Sequence, residues 1–256
     1  RPATPGQFIV SLGLIDTRSQ KKWLFEATPD IKRQLALLNE DIPTEDMMPA
    51  GIFLTHAHMG HYSGLIQLGR EAISADSIPV YTMTRMADFL GKNAPWSQLI
   101  ELKNIVLDTL HTQVKKKLAD DITVTPFPVP HRDEFSETVG FLVNGPNRRV
   151  AFIPDIDKWS RWDTKLSLIV QSVDVAYLDG TFFEADELPG RDMSEIPHPF
   201  IVETMEHLKD LTPEEKAKIH FIHFNHTNPV MHDPEAIKKI EALGFNVARQ
   251  GDVVRL

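Results

Sequence analysis

The chain has 256 residues, of which 42% are hydrophobic and 25% are charged, as in globular rather than disordered or fibrous proteins. Its 36 acidic and 27 basic side chains give a net charge of −9 at pH 7, which disfavours long nucleic acids as partners and leaves a small-molecule substrate as the expectation. The absence of cysteine excludes disulfides, thiolate metal sites and cysteine nucleophiles, and no apolar run reaches the roughly 18 residues that cross a membrane.

Strand and helix patterns alternate along the chain. In the N-terminal part, they predict strands at residues 7–16 and 22–27, a helix at 28–39, a proline-rich acidic loop at 41–49 and a buried strand at 51–55. Farther along, they predict strands at 79–82, 122–129, 138–143, 149–153, 173–178, 219–224 and near Val253, and helices at 62–69, 200–208, 213–218 and 234–243. Strands outnumber the helices between them, which favours a layered α/β domain with mixed sheets.

The chain as a whole is predicted to be a single domain, residues 1–256, because no repeat, low-complexity segment or dividing linker is visible. It begins with Arg1 rather than Met, so an N-terminal piece is expected to be missing or processed. That start and the absence of cysteine favour an exported, periplasmic mature chain over a cytoplasmic one.

The most informative stretch is THAHMGH at residues 55–61, where three imidazoles follow a predicted buried strand. Alternate side chains of an extended segment point the same way, so His56 and His58 can converge on one metal ion. His61 follows where the chain turns into the next helix, and it can face the same cavity from another direction. A solvent-exposed histidine-rich loop is the alternative interpretation.

Further ligands are expected elsewhere in the chain, because a catalytic zinc takes about three protein ligands plus water. His131 follows a strand-like stretch, Asp155 ends the apolar run 150–154, and His223 lies within the predicted strand 219–224. Each of these residues lies near the C-terminal end of a predicted strand. Loops at one edge of a sheet commonly gather a functional site there.

This order of residues resembles the metallo-β-lactamase superfamily: His-x-His-x-x-His, then a distant histidine, an aspartate after a strand and a late histidine. The resemblance implies a four-layer αββα sandwich with two mixed sheets and one or two metal ions at their edge. It assigns His56, His58 and His131 to a first site and His61 and His223 to a second, with Asp155 bridging both. The implied ion is Zn²⁺, with Fe²⁺ or Mn²⁺ as alternatives at the second site.

Several stretches are similar to the PqqB-type proteins of pyrroloquinoline quinone biosynthesis: ATPDI (27–31), HYSGL (61–65), DGT (179–181), RDM (191–193) and NHTNP (225–229). Phosphodiesterases of phosphonate breakdown and tRNA-processing nucleases share part of this pattern. By the same resemblance, His198 occupies the place of a histidine that acts near the leaving group.

Gly60 departs from the family motif, which reads His-x-His-x-Asp-His. The aspartate at that place normally binds the second metal and orients the attacking water. We therefore expect the second site to be weaker or differently occupied. His226 is a candidate for compensating ligation.

These residues predict a metal-dependent hydrolase that uses a metal-bound hydroxide, because metal binding lowers the pKa of water to about 7. The expected substrate is a small phosphodiester or ester, with His198 as general acid and Asp155 as the bridging carboxylate. One alternative is a PqqB-like iron- or zinc-dependent oxidoreductase of quinone cofactor biosynthesis. Another is a degenerate metal-binding protein in which Gly60 has ended catalysis. A homodimer is one option for the assembly.

Two secondary features have structural interpretations. Asp179 follows a predicted buried strand, where it either orients a ligand or caps the turn at Gly180. The basic run at residues 115–117 is interpreted as a solvated helix end rather than as an anion-binding site.

Overall fold

A computed structural model describes residues 6–40 and 47–256, which form two compact units. Among the described residues, the N-terminal unit consists of 8–40, 47–114 and 133–138. The C-terminal unit consists of residues 6–7, 115–132 and 139–256. Each unit contains one mixed β-sheet, which confirms the predicted α/β class with two mixed sheets.

The N-terminal unit has a five-stranded sheet in the order β1-β2-β3-β4-β5. Its strands are β1 Leu12–Asp16, β2 Lys21–Phe25, β3 Gly51–Phe53, β4 Ile78–Thr82 and β5 Ile105–Thr109. β1 and β2 pair antiparallel, whereas all other neighbours pair parallel. Its helices are α1 Ile31–Glu40, α2 Met59–Tyr62, a 3-10 helix Ser63–Leu68, α3 Thr84–Lys92 and α4 Trp96–Glu101. Helices and sheet share a core that includes Ile52, Leu54, Leu65, Val80 and Met86.

The C-terminal unit has a seven-stranded sheet in the order β12-β11-β10-β9-β8-β7-β6. Its strands are β6 Lys116–Lys117, β7 Thr123–Pro128, β8 Val139–Asn144, β9 Arg149–Ile153, β10 Val175–Asp179, β11 Ile219–Ile222 and β12 Asn246–Val247. Neighbouring strands from β6 to β9 pair antiparallel, and neighbouring strands from β9 to β12 pair parallel. Its α-helices are α5 Leu166–Ser172, α6 Ile201–His207, α7 Pro213–Lys216 and α8 Pro234–Ala242.

The parallel part of this sheet brings three strand ends to one edge. β9, β10 and β11 are neighbours, and residues of all three are buried on both faces, as is typical of parallel strands. Polar side chains appear where these apolar runs stop. Asp179 is the last residue of β10, Asp155 lies two residues beyond β9, and His223 directly follows β11.

Several predicted elements differ from the observed ones. The predicted helix 62–69 is instead the short α2 followed by a 3-10 helix, and the last strand is β12 rather than a strand near Val253. The basic run was wrongly assigned to a helix end, because Lys116 and Lys117 form β6 and pair antiparallel with β7. The first six residues of the predicted loop 41–49 lie outside the described residues. No helix in the described part of the chain combines the length and apolar character that crossing a membrane requires.

Candidate metal centre

The histidine-rich segment of the N-terminal unit continues directly from β3. The backbone N–H of Leu54 still donates to the carbonyl oxygen of Tyr81 at 3.0 Å, the chain bends at Ala57, and His58, the residue before α2, is again extended. As expected from the sequence, His56 and His58 converge, and Nε2 of His56 lies 2.9 Å from Nδ1 of His58. Two nitrogens on a tetrahedral zinc lie about 3.3 Å apart, given Zn–N distances of ~2.0–2.1 Å. The pair is therefore close to the spacing that a shared ion requires.

His61 lies on α2, beside His56. The centroids of the two imidazole rings are 4.2 Å apart, and both side chains are buried. The three predicted histidines of this unit thus lie together, and the interpretation of residues 55–61 as a solvent-exposed loop is wrong.

Glu26 is a buried carboxylate in this cluster that the sequence interpretation missed. Its Oε1 accepts a hydrogen bond from Thr55 Oγ1 at 2.5 Å and lies 3.3 Å from His61 Nδ1. Thr55 Oγ1 is also 2.8 Å from His56 Nδ1. Glu26 follows β2, and the parallel pairing of β2 with β3 brings it to the start of the histidine segment. Its only signal in the sequence is an acidic residue that directly follows the apolar run 23–25.

The C-terminal unit holds a second cluster at the edge formed by β9, β10 and β11. Asp155, Asp179, His198 and His223 each offer a ligand atom, and these atoms lie within 4.8 Å of one another. His131 joins them, since its Nε2 lies 3.1 Å from Oδ1 of Asp155. The structure therefore brings together every site residue that the sequence predicted within this unit.

Asp155 and Asp179 play different roles in this cluster. Oδ1 of Asp155 faces two imidazoles, His131 Nε2 at 3.1 Å and His198 Nδ1 at 3.2 Å. Asp179 is fully buried. Its Oδ1 accepts hydrogen bonds from Thr181 N (2.8 Å) and Thr181 Oγ1 (2.6 Å), and its Oδ2 accepts from Ile156 N (3.1 Å) and His198 Nδ1 (2.8 Å). Asp179 thus both caps the turn and orients side chains, and its oxygens are already engaged by four donors.

His198 lies between the two carboxylates. Burial works to lower its pKa, but the negative charges of Asp179 and Asp155 and the hydrogen bond to Asp179 act in the opposite direction. The carboxylates prevail and raise the pKa of His198 from 6.5 to about 9. The two carboxylates thus favour the protonated form of this imidazole.

His223 is held in a strained backbone conformation. Its φ is +64°, in the left-handed region that costs a non-glycine residue roughly 1–2 kcal/mol. Its Nδ1 lies 2.6 Å from Thr181 Oγ1. A strained residue in contact with a polar network at a strand end is typical of a functional position.

His226, a candidate ligand in the sequence, lies outside the two clusters, and so do Trp159 and Trp162. His226 is exposed, with its Nδ1 3.0 Å from Oδ1 of Asn225. The indole of Trp159 donates to Thr204 Oγ1 at 2.8 Å and that of Trp162 to the Pro128 carbonyl at 3.2 Å, so both tryptophans pack within the C-terminal unit.

The donor atoms of both clusters fit a first-row divalent metal. They are imidazole nitrogens and carboxylate oxygens, with no thiolate, and this is the donor set that zinc, iron and manganese accept in proteins. Neighbouring carboxylates and hydroxyls hold the imidazoles in place, as is usual around metal-binding histidines.

Comparison with known proteins gives matches over most of the chain. Residues 21–221 match the family described as the beta-lactamase superfamily domain. Coenzyme PQQ synthesis protein B of Methylobacterium radiotolerans is 27% identical over 98% of this chain and 87% of its own length. Zinc-bound PqqB from Methylobacterium extorquens superposes with a TM-score of 0.78 at 21% identity, over 96% of this chain and 87% of that one. A diphosphatase of the PhnP family superposes with a TM-score of 0.60 at 18% identity, over 93% and 81%. These structures share the fold.

Proposed function

Since this chain belongs to the beta-lactamase superfamily, we propose that it is a metalloenzyme that hydrolyses a small phosphodiester or ester-like substrate. The observation that carries this proposal is the position of His198, whose Nδ1 lies 2.8 Å from Asp179 and 3.2 Å from Asp155. Two flanking carboxylates favour the protonated imidazole that a departing oxygen requires. The net charge of −9 supports a small substrate over a long nucleic acid.

The proposal assigns metal binding to residues of both units: His56, His58 and His61 in the N-terminal unit, and His131, Asp155 and His223 in the C-terminal unit. Zinc is the proposed ion, with Fe²⁺ or Mn²⁺ as alternatives at the second site. When bound by neutral imidazoles, such an ion lowers the pKa of its water ligand to about 7 and so supplies a nucleophile at neutral pH.

The protein residues have three further tasks in this proposal. Asp155 holds a negative charge beside His131 and His198 and helps to orient both rings. Asp179 fixes the His198 ring through Nδ1, so that its other nitrogen can give a proton to the leaving oxygen. An alkoxide is far more basic than imidazole, and this transfer is therefore strongly favoured.

The function is tested by following hydrolysis of bis-p-nitrophenyl phosphate, a β-lactam and an aryl ester by the zinc-loaded protein. We expect phosphodiester hydrolysis that disappears when a chelator removes the metal and returns when Zn²⁺ is added. A fully loaded protein that hydrolyses none of the three substrates would contradict the proposal.

A PqqB-like oxidoreductase is the second candidate. Gly60 in place of the motif aspartate favours it, as does the similarity to a coenzyme PQQ synthesis protein over 98% of the chain. The residues that the sequence resemblance assigns to a second site, His61, His223 and Asp155, have the two-histidine, one-carboxylate composition of non-haem Fe(II) oxygenases. Oxygen consumption by the iron-loaded protein would favour this candidate. Less than one metal per chain without hydrolysis would instead favour a degenerate metal-binding protein.

Replacing Gly60 by aspartate is expected to tighten binding of a second metal ion by at least about tenfold and to raise the phosphodiesterase rate. A Cβ added at Gly60 meets no atom within 4 Å, and the backbone there does not need positive φ, so the side chain can be accommodated. Isothermal titration with Zn²⁺ measures the affinity.

Gly60→Ala is the matched control for this substitution, because it adds a Cβ and helix propensity to α2 without a carboxylate. We expect Gly60→Ala to leave the zinc affinity unchanged. Equal affinities for the aspartate and alanine variants would contradict the assignment of position 60 to the second site.

A further inference from the structure

We propose that Thr181 is a positioning residue that holds His223 in the tautomer suited to metal binding. The three residues Asp179, Thr181 and His223 form a chain of hydrogen bonds in which Thr181 Oγ1 lies 2.6 Å from Asp179 Oδ1 and 2.6 Å from His223 Nδ1. The inference deepens the proposed function, on which it rests for the role of His223 as a ligand.

The direction of the hydrogen bonds follows from the surroundings of Asp179. A hydroxyl has only one hydrogen to donate. Each oxygen of Asp179 already accepts a backbone N–H, from Thr181 at 2.8 Å and from Ile156 at 3.1 Å, so the carboxylate acts as an acceptor. The Thr181 hydroxyl therefore donates to Asp179 and accepts from His223. Nδ1 of His223 then carries the hydrogen, and Nε2 carries the lone pair that a metal needs.

The backbone around Thr181 keeps this arrangement rigid. Gly180 N donates to the Ile222 carbonyl at 2.8 Å, and Asn225 N donates to the Thr181 carbonyl at 3.0 Å, so the turn after β10 is joined to the chain on both sides of His223. The buried Asn228 side chain donates to the carbonyls of Gly180 and Thr181. These bonds hold His223 in its left-handed conformation against the Thr181 hydroxyl.

The same order of groups occurs independently in the N-terminal unit. Thr55 Oγ1 lies 2.5 Å from the buried Glu26 and 2.8 Å from His56 Nδ1. By the same reasoning, the Nε2 lone pair of His56 faces Nδ1 of His58, 2.9 Å away. Each histidine cluster thus contains a carboxylate, a threonine and a histidine linked in this order. The two sets belong to different strands, and their threonines are more than a hundred residues apart in the sequence.

The experiment compares Thr181→Val, which removes the hydroxyl at nearly constant volume, with Thr181→Ser, which keeps it. Isothermal titration with Zn²⁺ measures affinity, and long-range ¹H–¹⁵N correlation spectra of the metal-free protein report the His223 tautomer. We expect Thr181→Val to weaken zinc binding by about 10–100-fold and to reduce the Nδ1–H form. Thr181→Ser should restore both properties, and circular dichroism checks that each variant is folded.

An Nε2–H tautomer of His223 in the native metal-free protein would overturn the inference. Equal losses of zinc affinity in the serine and valine variants would also overturn it, because they would show that the methyl packing rather than the hydroxyl matters. If the native chain binds no Zn²⁺, the proposed function fails, whereas the tautomer measurement still decides whether Thr181 orients His223.

Discussion

Hydrolysis of an alkyl phosphodiester is expected to slow by about 10²–10⁴-fold when His198 is replaced by glutamine. Glutamine can still donate a hydrogen bond to Asp179, but it has no proton to give to a leaving oxygen. The native imidazole is held between Asp155 and Asp179, which favour its protonated form. Turnover of a 3′,5′-cyclic nucleotide measures the effect, because its leaving group is an alkoxide that needs protonation.

The substrate bis-p-nitrophenyl phosphate provides the internal control for His198→Gln. Its p-nitrophenolate leaves as a stable anion, so its hydrolysis should change little in the variant. Zinc content should also stay at the native level, since the proposal does not assign His198 as a ligand. Equal losses on both substrates, or a loss of metal, would show that His198 is not the general acid.

The apolar strands that deliver the site could be predicted from the sequence. The runs 149–153 and 173–178 correspond to β9 and β10, and the polar residues that end them, Asp155 and Asp179, lie in the cluster where their strands meet. The expectation that His56 and His58 converge was also correct, although the chain bends at Ala57 between them. The assignment of these residues as metal ligands stays a prediction.

The residues that orient the histidines could not be predicted, because their contacts depend on sheet pairing. Glu26 is 29 residues before Thr55, and only the parallel register of β2 and β3 brings them together. Thr181 meets His223 across 42 residues through the pairing of β10 with β11. Threonine is also common in turns, so its type alone gives no signal.

Short elements were missed for a related reason. β5, α3, α4 and α5 contain five to nine residues, and their apolar positions are too few to define a period. In α3, only Met86 and Leu90 are buried. The charged run at residues 115–117 resembles a solvated helix end in sequence, but the pairing of Lys116 with Val124 makes it part of a strand.

Metal binding is expected to weaken strongly when a proposed ligand is replaced by alanine. Each imidazole donates an electron pair that alanine cannot supply. His56→Ala in the N-terminal unit and His131→Ala in the C-terminal unit should therefore each lower the metal affinity by more than the loss of an orienting residue does, which is about 10–100-fold. The matched control is His226→Ala, at an exposed histidine outside both clusters. Phosphodiesterase activity should fall together with the metal content.

Elemental analysis of zinc per chain is the most direct measurement. We expect at least one zinc per chain in the native protein and in His226→Ala, and substantially less than one in the folded His56→Ala and His131→Ala variants. Native zinc content in both of these variants would contradict the assignment of His56 and His131 as metal ligands.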